Sequence, residues 1–205
     1  MKAQTVVITA VIMTALTGTA PGLQGGSAGP GISVCTEVPV DSVLVYLAKR
    51  QATQMFADVG VTLEWHSWNN CPPDAIRISI REKTEVMDHP GALGYALPYE
   101  GTHVVVLLDR MQAAAQKRAL PHLLAHVYVH EIAHILEGSA RHSENGVLKA
   151  RFTMDDILQM EIHPLPFASV DVRLIHAGIE RRQGVMNTGN GTSLASTSST
   201  TVATD

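Results

Sequence analysis

One stretch of the 205-residue chain combines residue types that could do hydrolytic chemistry: His130-Glu131-Ile132-Ala133-His134. On a helix, residues four apart lie one above the other, so His130 and His134 can point two imidazoles at one metal ion. Glu131 sits on the adjoining flank of that turn, where its carboxylate can reach a water at the metal without being a ligand. This HExxH spacing draws two ligands and one general base from a single rigid turn. Gly138 is a natural left-handed helix stop, after which the chain can reverse and bring back His142 as a third ligand. Three protein ligands with an open fourth position describe a catalytic zinc site rather than a closed structural one.

Other arrangements compete for the same histidines. His122 and His126 extend the four-residue ladder toward the N-terminus, which suits either a polar helix face or a second metal-capturing pair. The glutamate beside His130 and the glycine-terminated turn before His142 favour His130 and His134. Glu161, on a later helical pattern, is the alternative third ligand. His163 and His176 read as surface or internally satisfied histidines.

The elements that must position these residues belong to one domain, because this length can bury a real core. A net charge of −4 without a basic cluster argues against nucleic acid or an anionic membrane surface as the main partner. Aromatics make up only 4%, so the core should be aliphatic. Lys2, the apolar run Val6 to Leu16 and small-residue cleavage candidates make residues 1–28 an expected export signal, too short for a comfortable membrane span. The protein is then expected to be exported, with protein or peptide as its substrate and no stable membrane insertion once the signal is removed. Cys35 and Cys71 are the only cysteines, and in an oxidising compartment the pair reads as one disulfide. The alternative is Cys35 as an inhibitory ligand on the zinc.

Residues 22–31 form a glycine-rich linker, and the domain itself spans residues 33–182. From Pro39 to Phe56 the apolar residues recur at helical spacing, with Asp41 or Ser42 as N-cap and Gly60 closing the helix. Val61 to Trp65 and Ala75 to Arg81 alternate as strands. Glycines and Pro98 assign Gly91 to Pro98 to an edge strand or extended loop. Thr102 to Leu108 is a continuous aliphatic run suited to a strand inside the sheet, followed by a loop or short helical lead-in over Asp109 to Ala119. Pro121 fits the first turn of the histidine-bearing helix, which should end near Leu136. Asn145-Gly146 is a turn, Thr153 caps a short helix ended by Pro164, and Ser169 or Asp171 opens the last helix. Residues 183–205 are Ser/Thr-rich with little to bury, and are expected to be disordered.

Taken together, His130 to Ala150 and the preceding element order resemble a metzincin zinc metallopeptidase. The resemblance implies an α+β fold: a twisted mixed sheet with a long active-site helix, and a small, mainly helical C-terminal subdomain. It implies zinc held by His130, His134 and His142, with Glu131 as general base in peptide-bond hydrolysis. The strand near Leu93 to Leu97 would be the edge that pairs with an extended substrate. The departures are specific. The family pattern HExxHxxGxxH has glycine where this chain has Glu137, and its third histidine comes two residues earlier than His142. In the segment matching the family's methionine turn, Asn145 to Ala150, Leu148 stands where methionine is expected; the two are close in volume. No tyrosine or arginine stands out as an oxyanion partner. A non-catalytic exported binding domain that keeps its metal for stability is the competing function, and the retained Glu131 speaks against it.

Overall fold

The computed structural model describes residues 31–37, 43–85, 89–98 and 100–193. The expected signal segment, the N-cap candidates Asp41 and Ser42, and the last twelve residues lie outside that set.

The chain begins with strand β1 (Gly31–Thr36), then helix α1 (Val43–Ala57), strand β2 (Thr62–Ser67) and strand β3 (Ile76–Arg81). Strands β4 (Gly94–Leu97) and β5 (His103–Leu107) follow. Five strands form one mixed sheet in the order β2-β1-β3-β5-β4. All neighbours are parallel except β4, which runs antiparallel to β5 with Tyr95 opposite Val105. The short turn between β4 and β5 permits that antiparallel pairing, whereas the parallel β1–β2 pair needs the α1 crossover. β4 is an edge and β5 lies inside the sheet, as the sequence predicts. β1 corrects the sequence reading, which assigns no strand there. Ile32, Val34 and Cys35 are buried, and Val34 and Cys35 have parallel neighbours on both sides.

The C-terminal half is helical: α2 (Leu108–Ala114), α3 (Leu120–Glu137), α4 (Met154–Met160) and α5 (Ser169–Ser193). α3 has Pro121 in its first turn and ends at Gly138, which holds φ 66° and donates its N–H to His134 and Ile135 carbonyls. Thr153 caps α4 with a reciprocal box, its hydroxyl accepting from Asp156 N–H while the Asp156 carboxylate accepts from Thr153 N–H. α5 departs from the expected boundary: its helical backbone runs past Arg182 to Ser193. Once a helix is nucleated, each further residue adds a hydrogen bond at low cost, even in a polar sequence.

α3 packs against α1, α2, α4, α5 and the β4–β5 side of the sheet, so it lies at the centre of the core. From Leu123 to Glu137 every residue of α3 is buried. A helix buried all round is normally apolar throughout. Here it also carries His126, His130, Glu131, His134 and Glu137. α5 crosses α3 closely at Gly178, where a Cβ would fall 1.7 Å from the Leu136 carbonyl oxygen. The Cys35–Cys71 disulfide is formed and ties β1 to the loop after β2. No helix among the described residues is long and apolar enough to cross a membrane.

Candidate metal centre

Each buried polar group on α3 needs a partner or a use, because an unpaired polar group in a core costs free energy. His126 is satisfied internally. Its Nδ1 donates to the His122 carbonyl at 2.7 Å, and its Nε2 accepts the Leu165 N–H at 2.9 Å. With both nitrogens engaged, His126 has no lone pair to offer a metal, and the ladder toward the N-terminus is structural. His122 bonds Gln51 through Nδ1, and His176 bonds the Val59 carbonyl.

His130 and His134 are held differently. His130 Nδ1 donates to the Val147 carbonyl at 2.8 Å, and His134 Nδ1 donates to the Ser139 carbonyl at 2.9 Å. Those bonds fix each neutral ring with its proton on Nδ1 and its lone pair on Nε2. The two Nε2 atoms face each other at 3.0 Å. Burial pushes the His130 pKa down to about 4 and that of His134 down to about 3, so both are uncharged at neutral pH. Two acceptor lone pairs meeting at this distance repel unless a cation lies between them. His142, exposed on the loop after Gly138, completes the group, with its ring centre 5.3 Å from that of His130 and 5.0 Å from that of His134. One ligand atom from each of the three lies within 4.8 Å of the others.

The residues fit zinc in both donor type and spacing. Zinc–nitrogen bonds of about 2.0–2.1 Å in tetrahedral geometry place two ligand nitrogens about 3.3 Å apart, close to the observed pair. The Nδ1 bonds to backbone carbonyls are the outer contacts that orient metal-binding imidazoles. Glu161 is not gathered with the histidines; its carboxylate pairs with Arg118 at 3.0 Å.

Glu131 lies beside this group and is buried. Burial pushes its pKa up to about 8, opposed by a hydrogen bond from the Ala96 N–H of β4. The contact depends on Gly94. A Cβ there would come 2.9 Å from the Val105 carbonyl oxygen, 3.0 Å from Val127 and 3.5 Å from Glu131. The missing side chain lets the edge strand lie against α3 at the carboxylate. The sequence marks this glycine only as a strand weakener; its close approach to α3 arises in the fold. Leu148 is fully buried, and the residue before it supplies the carbonyl that orients His130.

The three histidines, Glu131 and residues Gly94 to Ala96 line a cavity of about 650 Å³, with Phe152 on its wall. Glu137, where the family pattern has glycine, is buried with neither carboxylate oxygen hydrogen-bonded. Burial pushes its pKa up to about 7, while Arg141, 3.7 Å away, pulls the other way. The sequence reading also passes over Asp171, a fully buried carboxylate bonded to Arg141 and Ser143 on either side of His142. Only its position in the first turn of α5 was legible.

No protein-family model matches the chain, and no curated protein matches it. Among solved structures, the chain is similar to the crystal structure of archaemetzincin from Methanopyrus kandleri, with a TM-score of 0.52 and 12% identity. The match covers 77% of this chain and 99% of that one. At this identity the likeness is one of fold, and it agrees with the α+β, metzincin-like architecture expected from the sequence.

Proposed function

We propose that this chain is an exported zinc-dependent endopeptidase that hydrolyses protein or peptide substrates. The observation that carries the proposal is the convergence of His130 and His134 Nε2 at 3.0 Å, with His142 beside them and Glu131 on the same turn. His130, His134 and His142 would hold the zinc. When bound, zinc supplies Lewis-acid polarisation of a peptide carbonyl and acidifies a coordinated water. Glu131 takes a proton from the attacking water and later delivers it to the leaving amine. Burial raises the basicity of that carboxylate, and the positive charge of zinc beside it would favour the ionised form that accepts the proton. β4 is the sheet edge on the cleft, and an extended substrate backbone can add to it as a further strand. The Cys35–Cys71 bridge supports an oxidising compartment and hence export.

Glu131→Gln tests the proposal. Glutamine keeps the shape and can still accept the Ala96 N–H, but it cannot take up a proton at neutral pH. One zinc per chain and an unchanged melting temperature are expected. Hydrolysis of a denatured-protein substrate, with a chelator control, should fall by at least about a hundredfold, since general-base catalysis contributes ~10²- to 10⁴-fold. Equal hydrolysis by the variant refutes the role of Glu131. Zinc binding by the wild type with no hydrolysis across a broad peptide library would favour a metal-stabilised binding domain.

A further inference from the structure

His130 and His134 stand on a buried helix with rings tied by backbone carbonyls. His142 does not: it is exposed on a loop, and among the described residues no hydrogen bond holds its ring. A third ligand placed this way would have to be ordered when metal binds, at a cost in conformational entropy. The chain on both sides of it is nevertheless held. Arg141 Nη2 donates to Asp171 Oδ1, and Ser143 Oγ donates to the same oxygen at 2.6 Å. Arg141 Nη1 donates to Ser143 Oγ at 3.1 Å and to the His142 carbonyl at 3.3 Å, closing a ring of contacts around residue 142. Asp171 Oδ2 accepts the Ala168 N–H at 3.2 Å, which fixes the carboxylate at the start of α5. Asp171 is 0% exposed, and these contacts supply its carboxylate oxygens with the partners a buried polar group needs.

The geometry points to Asp171 as the positioning residue for His142: it clamps Arg141 and Ser143 so that the third ligand is preorganised before the metal arrives. The inference rests on the reading of His142 as a zinc ligand, and deepens it. α5 thereby becomes part of the metal centre, although none of its side chains joins the ligand group. Preorganisation reduces the ordering that binding must otherwise supply, and outer contacts of this kind typically account for ~10- to 100-fold in metal affinity.

A double-mutant cycle on the full chain tests this, reading the Zn²⁺ dissociation constant by competition with a chromophoric chelator. Asp171→Asn removes the charge with little change of shape, and the Glu137 carboxylate near Arg141 remains as a partner for the guanidinium. Asp171→Asn is expected to weaken zinc binding by ~10- to 100-fold. In the His142→Ala background the same change should have no further effect, because the residue it positions is gone. The visible spectrum of the Co²⁺-substituted protein should also shift in Asp171→Asn toward that of His142→Ala. Ser143→Ala, which buries no new charge, runs through the same cycle with a smaller loss and decides the matter if Asp171→Asn does not fold. Wild-type affinity in both Asp171→Asn and Ser143→Ala, with His142→Ala impaired, overturns the clamp alone. A loss that persists in full without His142 shows a general structural role and also overturns it. An unimpaired His142→Ala removes the premise itself, and the ligand reading fails with it.

Discussion

Acid should expose the structural role of His126, because its two hydrogen bonds require the neutral ring. Nε2 accepts the Leu165 N–H, so a proton there would set donor against donor inside the core. Burial pushes the folded-state pKa from 6.5 down to about 4. The sign follows from proton uptake. Between those two values the unfolded chain binds a proton that the folded chain refuses, so stability falls as pH falls through the window. Above pH 6.5 the group contributes no pH dependence, and below pH 4 the full penalty is present. At ~1.36 kcal/mol per pKa unit, the penalty reaches about 3 kcal/mol, of which about 2 kcal/mol appears between pH 7 and pH 5. Urea unfolding of the chelator-treated protein at several pH values measures it. His130 and His134 titrate in the same direction, so the comparison is with His126→Gln, in which their contribution is retained. The variant can still offer an acceptor to Leu165 and a donor to His122. Its pH profile should be shallower than the wild type's by about 2 kcal/mol over that window, while it keeps one zinc per chain. Parallel profiles would refute the buried neutral state of His126. Loss of zinc stoichiometry would refute its separation from the metal group.

Two further outcomes follow from the packing. Replacing Cys35 and Cys71 by serine opens a link of sequence separation 36, which should cost about 3–4 kcal/mol in urea unfolding; non-reducing alkylation of purified wild type should leave both thiols unlabelled. Gly178→Ala forces a Cβ toward the Leu136 carbonyl and should destabilise by ~1–3 kcal/mol or more, whereas Gly184→Ala, which meets nothing within 4 Å, should not; equal unfolding midpoints for the two would contradict the close α3–α5 crossing.

The sequence by itself determined what depends on neighbours a few residues apart. The HExxH turn, the Pro121 start, the Gly138 stop and the Thr153 cap all act within a turn or two of helix, so residue type and spacing suffice to read them. The alternation of β2 and β3 and the glycine-weakened edge at β4 were legible for the same reason. β1 was not, because its short, mostly small-residue sequence becomes a strand through parallel neighbours on both sides. Only the tertiary structure decided among the histidines. His126 is engaged by an amide 39 residues away, and His142 joins the cluster because the chain returns after Gly138 to the face that carries His130 and His134. Gly94 gained its meaning from the approach of β4 to α3, and Asp171 from a loop 30 residues before it. Such contacts join segments whose separation along the chain carries no periodic signal. They are decided by the close packing of a core in which buried polar groups of a central helix meet partners from distant segments.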